Sequence, residues 1–238
     1  MAGHSKWSQI KHKKALLDSK RGKRFTKLIK EIAVAARLGG GDPAGNPRLR
    51  LLLEKAKEIN MPQENSVRAI KRGTGELPGV SYERYMYEGY GPGHFAVLIE
   101  VLTDNKNRAI AELRTVFNRK GGTLAENGAV SWMFDKLGVI RMAQQDMSED
   151  QLIETLLEQQ VKDISLEDNT FTITTDPKAL DEVRQALTNM HLKTESAELE
   201  WVPRETMKLN EQTEEKAYEF LNALDELDDV QNVYTNLA

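Results

Sequence analysis

The 238-residue chain contains no cysteine. Disulfide scaffolds, thiolate-bound zinc, iron–sulfur clusters and thiol nucleophiles are therefore excluded together. Long apolar runs are missing as well, since no stretch approaches the ~18 residues that read as a membrane-spanning helix. The first thirty residues lack the apolar core of a secretory signal. A basic, acid-poor start also fits an organelle transit peptide, but that alternative leaves the amphipathic segment there unexplained, and a cytoplasmic location is the simpler expectation. Histidine is scarce and scattered, at His4, His12, His94 and His191, without metal-ligand spacing. No Ser/His/Asp grouping, P-loop or paired-carboxylate motif can be assembled. The expectation is a non-enzyme with no cofactor, no metal and no membrane partner. Nothing in the composition sets an oligomeric state.

Charge is what the chain has in quantity, and it is unevenly placed. The overall balance is −4, yet residues 1–80 hold 18 Lys/Arg against 7 Asp/Glu. The rest of the chain holds 15 against 30. Residues 1–30 alone carry ten Lys/Arg and a single acid, Asp18. A polyanion responds to the field within a Debye length of ~8–10 Å, so the local surplus outweighs the distant deficit.

Apolar spacing predicts helices through residue 79. Ile10 and Leu17 mark a short basic helix from Ser8 to about Leu17. Phe25, Leu28, Ile29, Ile32 and Ala36 recur at three- and four-residue steps, the stripe of an amphipathic helix ended by Gly39-Gly40-Gly41. Asn46-Pro47 caps and opens a helix with Leu49, Leu52, Leu53 and Ala56 inward. Pro62 opens another with Val67 and Ile70 inward, closed at Gly73. Beyond a Gly/Pro-rich linker at 75–79, the period changes to that of strands.

The expected fold class is a multi-domain α+β protein: a basic helical domain at 1–79, followed by two α/β (ferredoxin-like) domains. The middle domain, 80–135, is completed by the C-terminal segment 204–238, and the other is inserted at 136–203. In the middle domain, strands at Tyr82–Glu88 and Phe95–Leu102 flank a glycine turn. A helix with Ile110, Leu113 and Phe117 inward and a strand at Ala129–Asp135 follow. The inserted domain reads βαββαβ. Its helices should turn Ile153, Leu156 and Leu157, then Leu180, Val183, Leu187 and Met190, toward the sheet. The tail supplies a helix (Ala217, Phe220, Leu221, Leu224, Leu227 inward) and a strand, Val230–Thr235. These bury too little alone and should rejoin the middle unit.

Lys20, Lys23, Lys27 and Lys30 fall within an arc of about 80° on a helical wheel, nearly opposite the apolar stripe, with Arg21 and Arg24 flanking. Lys6, Lys11, Lys13 and Lys14 extend the patch, and Trp7 offers a stacking surface. A solvated helix face normally mixes both signs, because like charges one turn apart repel. A nearly all-cationic face therefore points to nucleic acid rather than to plain solvation or to an anionic membrane. Arg68, Lys71 and Arg72 either add phosphate contacts or simply complement a helix C-terminus. Gly89-x-Gly91-x-Gly93 is followed by a strand rather than a helix, so it reads as a hairpin turn and not as a dinucleotide loop. Tyr82, Tyr85, Tyr87 and Tyr90 read first as sheet packing. The acidic run Asp225, Glu226, Asp228 and Asp229 reads as a solvated helix end.

The opening Met1-Ala-Gly-His-Ser-Lys-Trp7, with Ile10-Lys-His-Lys-Lys14, Lys20-Arg-Gly-Lys23, Phe25-Thr-Lys-Leu28 and Gly39-Gly-Gly-Asp-Pro43, resembles the YebC/PmpR family. Asn60-Met-Pro62, Arg68-Ala-Ile-Lys71, Tyr87-Glu-Gly-Tyr-Gly-Pro-Gly93, Leu102-Thr-Asp-Asn105, Asn107-Arg108, Asp228-Asp-Val-Gln231 and Val233-Tyr234 extend the likeness along the whole chain. His94 stands where the family usually has a further glycine, and Ala125 and Ala129 also depart from its pattern. The resemblance implies a helical domain plus two α/β domains and a non-enzymatic role in gene expression. Many members are described as cytoplasmic, DNA-binding transcriptional regulators. Others act in translation, among them a mitochondrial translational activator and factors that relieve ribosome stalling. The expected partner is therefore DNA, with ribosomal RNA and the ribosome as the alternative.

Overall fold

The structure, a computed structural model, describes Trp7 and residues 21–144, 148–156 and 159–238. The short helix expected from Ser8 to Leu17 lies outside the described residues. Trp132–Thr206 form one compact unit, and the described residues up to Ser131 together with Met207–Ala238 form another.

Among the described residues, the first helices of the larger unit are α1 (Arg21–Gly39), α2 (Pro47–Glu58) and α3 (Gln63–Gly73). Leu28, Ile32 and Ala35 of α1 meet Leu49 and Ala56 of α2 and Ala69 of α3 in a small buried core. Asn46 organises the first corner. Its Oδ1 accepts from Leu49 N at 3.1 Å, capping α2. Its Nδ2 donates to Ala35 O and Gly40 O, both at 2.9 Å, tying that cap to the end of α1. α3 crosses α1 so closely that a Cβ on Gly73 would overlap the Ala33 carbonyl. Val67 departs from expectation: it is 42% exposed, and Ser66 and Ala69 are buried in its place. Ile70 of the same helix packs against the core as its spacing predicts.

The same unit continues with β1 (Glu83–Tyr90), β2 (Ala96–Thr103), α4 (Lys106–Lys120) and β3 (Thr123–Ala125). After the other unit it resumes with α7 (Glu211–Asp225) and β8 (Val230–Thr235). The sheet order is β3-β1-β2-β8, with every neighbouring pair antiparallel. β2–α4–β3 is thus a split β-α-β, with β1 between its two parallel strands. Val97, Ile99 and Val101 of β2 pack with Leu113 and Phe117 of α4 and with Phe220, Leu221 and Leu224 of α7. The tail therefore rejoins this sheet as its hydrophobic pattern requires. Glu88, buried in β1, accepts from the N–H groups of Gly128 (2.8 Å), Val130 (2.7 Å) and Ser131 (2.8 Å).

Trp132–Thr206 carry β4 (Phe134–Ala143), α5 (Glu149–Thr155), β5 (Val161–Glu167), β6 (Thr170–Thr175), α6 (Leu180–Asn189) and β7 (Ser196–Pro203). The antiparallel order β5-β6-β4-β7 is the ferredoxin-like arrangement. Asp168 and Asn169, both with positive φ, form the two-residue turn between β5 and β6. Ile140, Met142, Phe171 and Ile173 of the sheet pack under Leu152, Val183 and Leu187. Buried Arg141 is held by Glu200 through two hydrogen bonds, at 2.5 and 2.9 Å.

Three expectations are corrected here. The strand expected at Ala129–Asp135 is a 3-10 turn (Ser131–Met133) leading into β4, and the third strand of the first sheet is Thr123–Ala125. Residues 129–135 straddle the boundary between units, and only Phe134 and Asp135 of them belong to a strand. Ile153 is 42% exposed and Leu152 is buried in its place, while Leu157 lies outside the described residues. Met190, at 40% exposed, sits beyond the last turn of α6 and escapes its inward face.

Candidate nucleic-acid interface

The described lysines of the α1 row reach protein acceptors, with Lys23 exposed, Lys27 half-buried and Lys30 buried. Lys23 Nζ donates to the Glu226 carbonyl at 2.7 Å. Lys27 Nζ donates to the Asp225 carbonyl at 2.9 Å and to its Oδ1 at 3.2 Å. Lys30 Nζ donates to the Asp228 carbonyl at 2.9 Å and to Asp229 Oδ1 at 2.5 Å. Three lysines, one turn apart, thus line up on the carbonyl end of α7 and the acidic turn after it. A helix C-terminus carries about half a negative charge in unpaired carbonyls, which makes it a natural seat for ammonium groups. Spacing alone assigns this row to a polyanion. Lys23, Lys27 and Lys30 instead bind the molecule's own helix end, and Lys30 is only 6% exposed.

Asp229 is the centre of that seat, not part of a solvated run. It is buried, and its Oδ2 accepts from Thr103 Oγ1 at 2.7 Å and from Arg108 at 2.8 Å, in addition to Lys30 on Oδ1. Burial alone would raise its carboxyl, but the donors from Lys30, Arg108 and Thr103 prevail and hold it below the usual aspartate range. Glu88 behaves in the same way. Burial pushes its carboxyl up, and the three backbone N–H groups bring it below the usual glutamate range.

Trp7 is also not where a base-stacking residue would be. It is 2% exposed and belongs to the core beneath the first sheet, with its ring centroid 6.4 Å from that of Tyr218. Tyr87 is buried in the same core. Tyr85 stacks 6.4 Å from Tyr87 and carries Lys106 over its ring at 5.0 Å. The glycine turn is a hairpin connection: Gly91 N donates to Phe95 O, and His94 N to Gly91 O, both at 2.9 Å.

What stays outward is the exposed face of α3. Arg68, Lys71 and Arg72 are all solvent-facing on an arc of about 100° on the wheel. Glu64, the acid on the same arc, is held by Arg68. Among the described residues, the side chains of Lys71 and Arg72 donate no hydrogen bond to a protein acceptor. A role limited to complementing the helix dipole would need cations only in the last turn. Arg68 lies one turn earlier, and exposed Val67 widens the face. Arg24 is exposed on α1. The side chain of Arg21, and Lys6, Lys11, Lys13, Lys14 and Lys20 altogether, lie outside the described residues. Periodicity misses Thr103, Arg108 and Asp229, the network that gives the lysine row its seat.

Fold and surface together define a multi-domain α+β protein with a helical N-terminal domain whose third helix presents a cationic face. Residues 5–76 match the TACO1/YebC protein N-terminal domain, and residues 82–237 match the TACO1/YebC second and third domain. The chain belongs to the TACO1/YebC family. It is 52% identical to a probable transcriptional regulatory protein of Desulfosudis oleivorans, over 100% of this chain and 97% of that one. It is likewise 52% identical to one of Geobacter sulfurreducens, over 99% and 95%. Among solved structures it is similar to a conserved hypothetical protein, Aq1575, of Aquifex aeolicus. That likeness has a TM-score of 0.85 at 44% identity and covers 93% of this chain and 91% of the other.

Proposed function

We propose that the protein is a cytoplasmic, non-enzymatic regulator of gene expression that binds DNA as a transcriptional regulator, with the outward face of α3 as its phosphate-contacting surface. The observation that carries this reading is the exposure of Arg68, Lys71 and Arg72 on one side of a single helix. The density of Lys/Arg in residues 1–30 adds Arg21, Arg24, Lys6, Lys11, Lys13, Lys14 and Lys20 as further phosphate partners. The names carried by its relatives support a regulatory role. Lys23, Lys27 and Lys30 are removed from that group because their ammonium groups are already committed to the Glu226 carbonyl and to Asp225, Asp228 and Asp229.

Phosphate contacts position a protein on the nucleic-acid backbone and carry no base sequence. Specificity then has to come from groove width, deformability or a further partner. The test is genome-wide occupancy of the tagged protein, with lysate fractionation at moderate salt. Occupancy at promoters, abolished when Arg68, Lys71 and Arg72 are all changed to Glu, is the expected result. Sedimentation with ribosomes and no chromosomal occupancy would overturn the transcriptional reading in favour of a translation factor.

A further inference from the structure

The C-terminal turns of α1 and α3 and the segment leading into β1 enclose a cleft of about 100 Å³. Its floor is apolar, formed by the buried Ala33 and Val34, and its walls carry Arg37, Arg72, Ser81 and Tyr82. Arg37 donates to Ser81 Oγ and, at 2.8 Å, to the Tyr82 carbonyl. These bonds fix the guanidinium in the wall while three of its five N–H groups remain unspent. Arg72 is exposed and spends none on a protein acceptor among the described residues. Its stem runs beside Gly79, where an added Cβ would lie 3.2 Å from Arg72 Cγ. Any larger residue at 79 would crowd that side chain.

The donors do not end with the arginines. The backbone N–H groups of Gly79, Val80 and Ser81 reach no protein acceptor among the described residues. Burial and then the nearby Asp104 raise the Tyr82 hydroxyl above the usual phenol range, so no phenolate opposes an anion there. The carboxylates that act on Tyr82, Asp104 and Asp229, are both already bound by Arg108. The cleft thus concentrates two guanidinium groups and uncommitted N–H donors, with no unpaired acid among its lining residues to oppose them. A cation would be repelled there. A tetrahedral oxyanion matches the donor set.

We infer that this cleft is an oxyanion site that takes a single phosphate group. The inference rests on the proposed function only for the source of that phosphate, a nucleic-acid backbone; the donor set itself stands without it. The test is amide chemical-shift titration of the full-length, isotope-labelled protein. The probes are inorganic phosphate, a 5′-mononucleotide, and a duplex DNA without terminal phosphates.

The duplex is expected to move the Gly79, Val80 and Ser81 amides. Arg72→Gln should abolish those shifts, and Val80→Glu, at a second exposed position, should do the same by placing a carboxylate at the rim. Arg72→Gln should also weaken duplex binding about 3- to 10-fold and lower its salt slope by about 0.9, the value of one neutralised phosphate. Shifts with phosphate or mononucleotide but not with duplex would keep the site and assign it to a small phosphorylated ligand. That result would take Arg72 out of the proposed DNA-binding face. No shift with any probe would overturn the site, even if duplex binding elsewhere left the proposed function intact.

Discussion

Lys30 and Asp229 meet at 2.5 Å with side chains only 8% and 4% exposed, 199 residues apart in the chain. One belongs to the most basic helix and the other to the acidic turn before the last strand. An ion pair this well buried contributes little over a well-packed apolar pair, but losing one member leaves a stranded charge. Asp229→Asn leaves the buried Lys30 ammonium with only the Asp228 carbonyl, while Arg108 keeps Asp104, and should cost about 3–5 kcal/mol of unfolding free energy. Lys30→Met leaves Asp229 with Arg108 and Thr103 and should cost less, about 1–3 kcal/mol. Urea unfolding of the two variants checks the order; equal or reversed costs would remove Asp229 from the centre of the seat.

Acid should dismantle the same arrangement. The Asp229 and Glu88 carboxyls both lie below their ordinary values in the folded protein. A depressed folded value means that the stability they supply is complete above the ordinary carboxyl range, about pH 4. That stability disappears as pH falls through the range toward the folded values. Glu88→Gln should therefore cost about 2–3 kcal/mol at pH 7. The gap between variant and parent should narrow as unfolding is followed from pH 7 down to about pH 3. A gap that stays constant would show that the Glu88 charge contributes nothing.

The hairpin turn makes an opposite-signed prediction. His94 holds φ 64 and follows Gly93 at φ 87. A side chain in the left-handed region costs about 1–2 kcal/mol, and glycine avoids that cost at some entropic expense. His94→Gly should raise stability by roughly 0.5–1 kcal/mol, in keeping with the glycine that the family usually has there. Gly91→Ala should do the reverse, because its Cβ would overlap the Phe95 ring. Thermal unfolding of the pair reads both signs.

Trp7→Ala separates packing from binding. A tryptophan 2% exposed beside Tyr218 is a packing residue. Its removal should cost about 3–5 kcal/mol while leaving duplex affinity unchanged at temperatures where the variant is folded. A loss of affinity without a loss of stability would return Trp7 to the binding surface.

Local signals in the chain are good guides wherever the physics is local. The Asn46-Pro47 cap, the Asn105 cap of α4, the Phe220 and Leu224 face of α7 and the βαββαβ order all depend on neighbours a few residues away. The α1 lysines are harder. Their spacing correctly shows one cationic face, but spacing along one helix cannot tell whether a phosphate or a distant helix end will occupy it. The complementary run from Asp225 to Asp229 is visible in the chain, and only the fold brings it to Lys23, Lys27 and Lys30. Val67 and Ile153 mislead for a related reason: either side of a short helix can read as the inward one until a close crossing or a sheet selects it.

The most direct test is the salt dependence of duplex DNA binding by the protein with Arg68, Lys71 and Arg72 all changed to Glu. If the outward face of α3 holds phosphates, the slope of log K against log salt should fall by about 0.9 for each phosphate no longer neutralised, with the unfolding midpoint unchanged. Affinity should drop alike for unrelated sequences. A slope and affinity equal to those of the parent would contradict the account.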